Sequence, residues 1–450
     1  MGKYFGTDGF RGYAGKELLP IHAYKIGRFL GCYLKARGKK GRVLIGKDTR
    51  LSSDVFENAI ASSLAGSGSD VYKLGVVTTP AVAYLTSEGR FDFGIMISAS
   101  HNPYFDNGIK IMDSQGKIDD ALINKIEEYI DNEENEEKHP YATGSEVGII
   151  ADFEKGKGIY EDFLACASAE PLNGLKIGLD PSNGGASSVC TSVFERLGAN
   201  TYIINNKPNG ININEGCGST HIEKLSDFVK ANGLDVGFAY DGDGDRCICV
   251  DEKGKIIDGD KIIYALACDL KERGKLNSNM VVTTVMSNGG LYKALSKVGI
   301  SHVETPVGDK FVSERMTRDG YSIGGEQSGH IIIKEYLGTG DGVLTSVKLA
   351  ELLKRRKMPI SSLVKDVKPF PQILKNVHVV DKNAVLGSKA IQSAREKAEK
   401  ILKANGGRVL LRPSGTEPLI RIMVEGESES ECKSIAEMLE ASIKEVSKSE

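Results

Sequence analysis

The sequence predicts an α/β protein in which three related α/β domains, with mainly parallel mixed sheets, are followed by a smaller α+β domain. Three observations carry this prediction. The chain has 450 residues, which is more than one hydrophobic core usually organises. A unit of strand, loop and helix recurs along it, and the composition changes after about residue 369.

The recurring unit consists of a β-type run, a polar loop rich in glycine, serine or asparagine, a helical pattern, a glycine-marked turn and a second β-type run. Its three copies are RVLIGKDTRLSSDVFENAIASSLAGSGSDVYKLG, LKIGLDPSNGGASSVCTSVFERLGANTYII and MVVTTVMSNGGLYKALSKVGISHVET. The loop SNGG occurs in two of them, at residues 182–185 and 287–290. Short apolar strands that alternate with helices indicate βαβ units, so we interpret the copies as three domains of one ancestry.

The predicted domains span residues 1–153, 154–256, 257–369 and 370–450. The last one contains the β-type runs NVHVV, RVLLRPSG and LIRIMVE, around two charged amphipathic helices near residues 387–404 and 428–447. This mixture predicts the α+β domain. The acidic stretch DNEENEEK at residues 131–138 is interpreted as a solvated helix end or loop.

Composition restricts the partners of the protein. Hydrophobic residues make up 40% of the chain, charged residues 26%, and the formal net charge is −3, which predicts no bulk affinity for nucleic acid or for an anionic membrane. No apolar run approaches the ~20 residues of a membrane span, and the start MGKYFGTDG lacks the apolar region of a secretory signal. The eight cysteines include no CxxC pair, as expected for reduced thiols in the cytoplasm. We therefore expect a cytoplasmic protein that holds any anionic ligand with a local cluster of groups.

The first candidate loop is SASHNP at residues 98–103, directly after the apolar run GIMI. Pro103 prevents a regular continuation of the strand, so the ending exposes the hydroxyl of Ser100. A plain turn, a hydrolase nucleophile and a serine that carries phosphate are the competing interpretations. The hydrolase is disfavoured because Ser100 lies in no GxSxG motif and because His101, adjacent in sequence, is poorly placed to act as its base.

The second loop, in GFAYDGDGDRCICV, places Asp241, Asp243 and Asp245 between two β-type runs. Three carboxylates this close repel one another unless a cation neutralises them. On a straight strand alternate residues lie about 6.6 Å apart, whereas oxygen ligands of Mg²⁺ at ~2.1 Å must come much closer together. Gly242 and Gly244 allow the backbone to curl, so the sequence predicts a magnesium site.

Two other interpretations of the acidic loop are weaker. An EF-hand would use Glu252 at its twelfth position, but Arg246 stands where the EF-hand turn needs glycine, and both flanks are strand-like. A solvated acidic turn without metal is disfavoured because the aspartates follow an apolar strand. A zinc site at Cys217 and His221 lacks further ligands nearby in the sequence.

The third loop is GGEQSGHI at residues 324–331. Glycines surround Glu326, Ser328 and His330, whose spacing of two would place their side chains along one wall of a pocket suited to sugar hydroxyls or an amine. Polar turns bounded by glycine are common, so a structural turn is the alternative at this place.

The fourth loop, LRPSGTEPLIR at residues 411–421, combines guanidinium groups with hydroxyls and backbone amides. The donors suited to a phosphate dianion are Arg412, Ser414, Gly415, Thr416 and Arg421. A tight Pro/Gly turn with solvated arginines is the alternative. Together the four loops argue for phosphoryl transfer, since they supply a nucleophile, a metal, a recognition loop and a phosphate clamp. An alkaline-phosphatase-like enzyme fits worse, because it would need two metals held by His/Asp clusters and the chain has one acidic cluster.

The four loops resemble, in order and one per domain, the active-site loops of the α-D-phosphohexomutase superfamily: SASHNP, DGDGDR, GEQSGH and RPSGTEP. The resemblance extends from GTDGFRG at residues 6–12 to the C-terminal domain. Gln327 in GEQSGH, with CGSTH at 217–221, VGDKF at 307–311 and TGDG at 339–342, resembles the bacterial members that act on glucosamine phosphates. Phe10 and Phe105 depart slightly from the commonest spelling of their motifs.

The resemblance implies a role for each loop around a central cleft. Ser100 would carry a phosphate, adding about 1.5 to 2 negative charges, and would complete the shell of one Mg²⁺ together with Asp241, Asp243 and Asp245. Glu326 and Ser328 would hold sugar hydroxyls, and the fourth loop would hold the other phosphate. The groups expected near the transferring phosphoryl are Lys110 and His330 as general acid and base, Arg11 and Arg246 as charge stabilisers, and His101 as a group that orders the loop.

The implied reaction interconverts glucosamine 6-phosphate and glucosamine 1-phosphate through a phosphoserine enzyme and a 1,6-bisphosphate, towards UDP-N-acetylglucosamine and cell-wall precursors. Glucosamine or glucose 1,6-bisphosphate would act as priming activator, and the family suggests a homodimer. Two alternatives remain: a related mutase for glucose or mannose phosphates, and a catalytically silent sugar-phosphate sensor, which the intact loops disfavour.

Overall fold

The computed structural model describes residues 3–6, 8–132, 139–403, 407–414 and 418–449. Contacts group the chain into two units, residues 1–286 with 300–365, and residues 287–299 with 366–450. The predicted boundaries of the four domains stay a prediction. Most of the stretch predicted as a solvated helix end lies outside the described residues.

The first unit begins with an eight-stranded sheet of order β1-β2-β6-β5-β3-β4-β8, in which β7 also pairs with β6. Its strands are β1 (Phe5–Gly6), β2 (Gly9–Tyr13), β3 (Arg42–Lys47), β4 (Asp70–Val76), β5 (Phe93–Ile97), β6 (Asp106–Asp113), β7 (Gly116–Lys117) and β8 (Ile150–Asp152). The helices in this part of the chain are α1 (Pro20–Ala36), α2 (Ser53–Gly66), α3 (Thr79–Leu85), α4 (Asp120–Asp131) and α5 (Glu154–Cys166). Apolar side chains from α1, α2 and α4 pack with those of the central strands into one buried core.

The second sheet has the order β10-β9-β11-β12-β13. Its strands are β9 (Lys176–Asp180), β10 (Asn200–Ile203), β11 (Val236–Tyr240), β12 (Cys247–Asp251) and β13 (Ile256–Ile257), and the helices along it are α6 (Cys190–Arg196) and α7 (Glu223–Asn232). Helix α8 (Gly259–Glu272) follows, with Asp258 as its N-cap.

The third sheet has the order β15-β14-β16-β17. Its strands are β14 (Met280–Thr284), β15 (Ser301–Thr305), β16 (Ile323–Gly325) and β17 (Ile331–Ile333). The helices of this region are α9 (Gly289–Lys297), which belongs to the second unit, α10 (Asp309–Asp319), α11 (Gly342–Arg356) and α12 (Ile360–Leu363). In all three sheets the two strands of the repeated unit pair in parallel, as predicted, and antiparallel strands extend them into mixed sheets.

The second unit contains a three-stranded antiparallel sheet of order β18-β20-β19. Its elements are β18 (Gln372–His378), α13 (Lys382–Gly387), α14 (Lys389–Lys403), β19 (Arg408–Pro413), β20 (Leu419–Glu425) and α15 (Glu429–Ser449). One apolar face of the sheet is covered by α14 and α15, which confirms the predicted α+β composition.

Each candidate loop connects two neighbouring antiparallel strands. The serine loop joins β5 to β6, the acidic loop joins β11 to β12, and the glycine-bounded loop joins β16 to β17. In the second unit the fourth loop joins β19 to β20. The candidate side chains of the first three loops therefore stand where one strand ends and the chain reverses, whereas Arg11 and Lys110 lie within β2 and β6. None of the described helices combines the length and apolar character that crossing a bilayer would require.

Candidate active site

Ser100 lies three residues beyond the end of β5 and is almost fully buried, not exposed as the sequence predicted, because the acidic loop packs against it. Its φ of +50° is in the left-handed region, which a residue other than glycine adopts only when its surroundings impose it. The Ser100 N–H donates to Oγ of Ser98 at 3.0 Å, and the Ser100 hydroxyl donates to a carboxylate oxygen of Asp241. The serine loop is thus bonded directly to the acidic loop.

Arg50 holds the backbone of the serine loop and was missed by the sequence analysis. Its side chain is fully buried, forms an ion pair with Asp48 at 2.8 Å, and donates to the carbonyls of Ser100 at 2.8 Å, Asn102 at 2.9 Å and Asp106 at 3.0 Å. One guanidinium therefore satisfies several carbonyls that the turn leaves without partners. The available signal was the motif KDTR, which also follows a buried strand.

The three aspartates of the acidic loop are buried and converge, with one ligand oxygen from each lying within 4.8 Å of the others. Oδ1 of Asp243 and Oδ1 of Asp245 are buried and accept no hydrogen bond from the described residues. Anionic oxygens buried in this way are costly unless a cation binds them. Asp241, Asp243 and Asp245 therefore fit a hard divalent cation such as Mg²⁺, with Oγ of Ser100 beside them.

Two glycines make the convergence possible. Gly244 has a φ of +69°, which lets the chain turn between the aspartates. A Cβ on Gly242 would lie 2.5 Å from the carbonyl oxygen of Ser100, so only glycine allows the acidic loop to approach the serine loop this closely. Gly184 contacts Gly242 in turn, since a Cβ on Gly184 would lie 2.3 Å from the Gly242 carbonyl oxygen. The first SNGG loop is therefore packed against the acidic loop.

The pKa values of Asp241 and Asp245 in the acidic loop are shifted in opposite directions. Burial and the charges of Asp245 and Asp243 raise the pKa of Asp241 well above its usual value. Burial also favours the neutral form of Asp245, but the charges of Lys110 and His330 hold the pKa of Asp245 well below its usual value. Lys110 lies 2.7 Å from Asp243 and 3.7 Å from Asp245, so its buried ammonium offsets part of the negative charge.

The pKa values of the two histidines of the site are shifted in opposite directions. Burial and the positive charges of Arg246 and Arg11 lower the pKa of His101 to about 4, so its ring is neutral, and its Nδ1 lies 3.4 Å from Oγ of Ser100. Burial disfavours the charged form of His330 too, but Asp245, 3.6 Å from Nδ1, raises the pKa of His330 to about 9.

His330 is also held by a hydrogen bond that favours its neutral form. The Gly340 N–H donates to Nε2 at 3.1 Å, so in this geometry Nε2 carries no proton. The carboxylates favour the imidazolium and the backbone amide favours the neutral ring. A group with opposing influences of this kind can both accept and donate a proton, as general acid–base catalysis requires.

Arg11 and Arg246 present unsatisfied donors to the site. The guanidinium of Arg11 donates to a carboxylate oxygen of Asp8, and the backbone N–H of Arg246 donates to Oδ1 of Asp241 at 3.1 Å. Both Nε atoms are buried and find no acceptor among the described residues. Buried guanidinium donors without an acceptor are suited to an anionic ligand such as a phosphoryl group.

The glycine-bounded loop places its three polar side chains in different environments. Oε1 of the half-buried Glu326 accepts a hydrogen bond from the Gly308 N–H at 3.1 Å, and Ser328 is exposed. His330 is buried against Asp245. Gly308 belongs to a loop that the sequence analysis did not place in the site.

In the second unit, Arg412 on β19 and Arg421 on β20 are directly opposite each other across the antiparallel pair. Burial and the charge of Arg421 lower the pKa of Arg412. Ser414 follows β19 and is buried, and its carbonyl accepts from Nζ of Lys382 at 2.8 Å. Gly415 and Thr416, which were also predicted for the phosphate clamp, lie outside the described residues.

Family models match the chain in four consecutive segments. The matching descriptions are phosphoglucomutase/phosphomannomutase alpha/beta/alpha domain I at residues 2–137, domain II at 157–254, domain III at 258–370, and the C-terminal domain at 374–442. The chain belongs to the phosphoglucomutase/phosphomannomutase family. The resemblance to the α-D-phosphohexomutases seen in the four loops is thereby confirmed.

Members of this family from bacteria are similar to this chain over nearly its whole length. A phosphoglucosamine mutase of Lachnoclostridium phytofermentans is 50% identical over 97% of both chains. The phosphoglucosamine mutase of Bacillus subtilis is 47% identical over 96% of both chains.

Solved structures of the family share the fold. A phosphoglucomutase/phosphomannomutase family protein from Burkholderia thailandensis is 25% identical, with a TM-score of 0.81 over 98% of this chain and 97% of its own. An N-acetylphosphoglucosamine mutase from Aspergillus fumigatus, solved with GlcNAc-6P and magnesium, is 17% identical, with a TM-score of 0.70 over 99% and 96% of the two chains. At that identity the second likeness concerns the fold alone.

Proposed function

We propose that this protein is an isomerase that interconverts glucosamine 6-phosphate and glucosamine 1-phosphate, the reaction named for its bacterial relatives. The observation that carries the proposal is the direct bond of the Ser100 hydroxyl to Asp241, inside a buried cluster of three carboxylates. It brings a serine hydroxyl next to carboxylates that could hold a cation, and phosphoryl transfer through a phosphoserine needs both groups.

In the forward direction Ser100 carries a phosphoryl group. The 1-hydroxyl oxygen of glucosamine 6-phosphate attacks phosphorus, the bond from phosphorus to Oγ of Ser100 breaks, and the product is glucosamine 1,6-bisphosphate. The attacking hydroxyl gives up its proton to one of the two groups proposed for acid–base work, Lys110 and His330, and Oγ of Ser100 takes up a proton.

The bisphosphate then reacts through its other end. Oγ of Ser100 gives up its proton to Lys110 or His330 as it attacks the phosphorus on the 6-oxygen, the bond from that phosphorus to the sugar oxygen breaks, and the 6-oxygen takes up a proton. Glucosamine 1-phosphate leaves, and Ser100 is phosphorylated again. The cycle conserves phosphate, so one priming step by glucosamine or glucose 1,6-bisphosphate is sufficient.

The charged groups of the first unit stabilise the transfer. When bound by Asp241, Asp243 and Asp245, Mg²⁺ would neutralise charge on the transferring group. The unsatisfied Nε donors of Arg11 and Arg246 would bind its oxygens. His101, neutral and next to Ser100, would order the loop.

The remaining predicted residues recognise the substrate. Glu326 and Ser328 would hold sugar hydroxyls, and the phosphate that is not reacting would be bound by Arg412, Ser414, Gly415, Thr416 and Arg421. The clamp must bind phosphate in both orientations of the sugar. Planar guanidinium groups suit this task, because they bind phosphate oxygens in pairs whichever sugar carbon carries them.

The cysteines and the net charge support the proposed location and the proposed partner of the enzyme. All eight cysteines are free thiols, which supports a cytoplasmic location. The net charge of −3 supports a small phosphosugar, rather than nucleic acid or a membrane, as partner. A homodimer is proposed from the family alone.

A coupled assay for glucosamine 1-phosphate tests the proposal. The phosphorylated protein with Mg²⁺ should convert glucosamine 6-phosphate, lose activity in EDTA and regain it with added Mg²⁺. Faster turnover of glucose 6-phosphate or mannose 6-phosphate at equal concentration would instead favour the related mutases after which the family is named. No turnover of any of the three sugars by protein phosphorylated on Ser100 would support a silent sensor.

A further inference from the structure

The motif VGDKF at residues 307–311 has no place in the proposed reaction, yet it contacts the site. Asp309 begins α10, and its Oδ2 lies 2.5 Å from Nζ of Lys117 on β7. The same oxygen lies 3.7 Å from Nε2 of His330. Gly308, next to it, donates its N–H to Glu326. One loop therefore contacts both the proposed sugar-binding carboxylate and a proposed proton-transfer group.

Lys117 continues this set of contacts on its other side. Its Nζ lies 2.5 Å from Oδ1 of Asp8, and Oδ2 of Asp8 lies 2.9 Å from Nζ of Lys110. Lys110 and His330 both approach Asp245, at 3.7 Å and 3.6 Å. These contacts close a ring in which acidic side chains alternate with lysine or histidine side chains, and we call it the charge ring: Lys110, Asp8, Lys117, Asp309, His330 and Asp245.

The members of the charge ring are mostly withdrawn from water. The exposed fractions of the side chains are 28% for Lys117, 23% for Asp8 and 15% for Asp309, and they fall below 10% for the other three. Burial favours the neutral form of Asp8, but the charges of Lys110 and Lys117 hold the pKa of Asp8 well below its usual value. A charge at this depth depends on its neighbours, so each member fixes the position of the next.

Lys117 and Asp309 hold the ring closed at its outer side. They are 192 residues apart in the sequence. Among the described residues, neither of them forms a hydrogen bond or ion pair with Ser100 or with a carboxylate of the acidic loop. A parallel bridge lies close by, since Lys310 pairs with Asp120 at 2.7 Å, but that pair takes no part in the ring. The chain thus contains a matched pair of bridges, one connected to Lys110 and His330 and one not.

We propose that the ion pair of Lys117 with Asp309 positions Lys110 and His330 for proton transfer, and that the chain therefore contains two positioning residues outside its four loops. This inference rests on the proposed function for its kinetic test. The pair acts through Asp8 on Lys110 and directly on His330. Catalytic geometry is sensitive to this kind of support, because a misplacement of about 1 Å can cost on the order of 100-fold in rate.

The test uses Lys117→Met, which removes the charge and keeps most of the apolar stem, and Lys310→Met as the matched control. We expect kcat of Lys117→Met to fall roughly 10- to 100-fold with KM changed less than about threefold, because a positioning group acts on the transition state. Lys310→Met should keep the kcat of the unchanged enzyme. Lys117→Arg, which can reach both carboxylates, should restore most of the kcat.

If Lys117→Met does not fold, Asp309→Asn opens the same contact with an isosteric side chain and should show the same loss of kcat. Equal kcat values for Lys117→Met and Lys310→Met would overturn the proposal. So would a loss of melting temperature with an unchanged kcat for the folded fraction, which is what a purely structural bridge predicts.

A second measurement does not depend on turnover. Brief acylation with acetic anhydride, followed by mass spectrometry of the peptide that contains Lys110, measures how well the ring protects this amine, which is 2% exposed. We expect labelling of Lys110 to rise several-fold in Lys117→Met and to stay unchanged in Lys310→Met. An enzyme that turns over none of the phosphosugars would defeat the proposed function, while equal labelling of Lys110 in both variants would defeat the charge ring.

Discussion

The acidic loop of residues 241–245 and the arginine pair of β19 and β20 both concentrate charge of one sign. In the acidic loop three carboxylates have oxygens within 4.8 Å of one another. In the second unit Arg412 and Arg421 occupy directly opposed positions in an antiparallel sheet, where like charges destabilise the pairing. In the acidic loop Lys110 offsets part of this charge, and the proposed ligand is a cation, whereas the ligand proposed for the arginine pair is a phosphate.

The two regions differ in how the fold holds them. The acidic loop is fully buried, is packed against glycines of two neighbouring loops, and has Lys110 at 2.7 Å from Asp243. The arginine pair is half-buried on a hairpin. The fold therefore holds the proposed cation site from several sides, whereas the proposed phosphate clamp depends more on the reach of long side chains. Changes in the first region should therefore affect kcat, and changes in the second should affect KM.

Replacement of the serine next to the acidic loop should have the largest effect. We expect Ser100→Ala to reduce turnover of every phosphosugar to background, because among the described residues the Ser100 hydroxyl is the one that donates to Asp241. A coupled assay measures the loss, and the mass of the Ser100 peptide after incubation with glucose 1,6-bisphosphate should show no added phosphate. Ser62→Ala, an exposed serine on α2, serves as control and should keep full activity. Phosphate incorporated at another residue of Ser100→Ala would contradict the assignment.

Loss of one carboxylate should be nearly as severe. Asp243→Asn removes a proposed metal ligand and the charged partner of Lys110, so we expect kcat to fall by roughly 100-fold or more. When Mg²⁺ is added, the activity of Asp243→Asn should rise much less than the activity of the unchanged enzyme. Asp227→Asn, which removes an exposed carboxylate paired with Lys230, should leave both quantities unchanged. Normal activity of the Asp243→Asn enzyme would contradict the proposed role of the metal ion.

The arginine pair should respond differently. Arg421→Lys keeps the charge and loses the paired donors of the guanidinium, so KM should rise about tenfold while kcat changes by less than about threefold. Steady-state kinetics with the phosphosugar substrate checks this, with the exposed Arg395→Lys on α14 as control. A large fall in kcat at constant KM would show that the two regions do not divide their work in this way.

The packing of the acidic loop can be tested with a single methyl group. A Cβ on Gly184 would meet the carbonyl oxygen of Gly242 at 2.3 Å, so Gly184→Ala should lower the free energy of unfolding by about 2 kcal/mol. Gly184→Ala should also lower kcat, because the acidic loop must move to make room for the added methyl group. Gly158→Ala in α5, whose Cβ would meet no atom within 4 Å, should be neutral or stabilising. Denaturant unfolding measures both, and equal stability of the two variants would show that the loop is not held from this side.

The smallest effect concerns the ion itself. Saturating Mg²⁺ should raise the melting temperature by roughly 1 to 3 °C, because the proposed metal site forms only in the folded protein. Calorimetry should show this rise in the unchanged chain and not in Asp243→Asn. A rise of the same size in both would mean that the ion stabilises the protein elsewhere.

Much of the fold and of the site could be predicted from local sequence. The three strand–loop–helix units and the four polar loops were visible because a buried strand is a short apolar run and its end is marked by polar residues and glycine. The acidic triplet could be interpreted for the same reason, since three ligands within five residues need no tertiary information. Arg50 was missed because its partners are carbonyls 50 to 56 residues away, which no side-chain pattern reveals.

The two SNGG loops show the limit of local patterns. In the first copy Ser182 and Asn183 have φ of 55° and 50°, and the glycines pack on the acidic loop. In the second copy Asn288 has φ of −74° and caps α9 by accepting from the Gly290 N–H. The same four residues therefore adopt two backbone shapes, because the side chains and backbone packed around them differ.

The sequence by itself determined which residues could do chemistry and at which strand ends they stand, because apolar periodicity and glycine placement act over a few residues. Only the tertiary structure decided which charges neutralise one another. The pairing of Lys117 with Asp309, and of Lys110 with Asp243, joins residues 192 and 133 positions apart. Such pairs depend on how the strands are ordered in space, and electrostatic attraction at short range follows distance in the folded chain, not distance along the sequence.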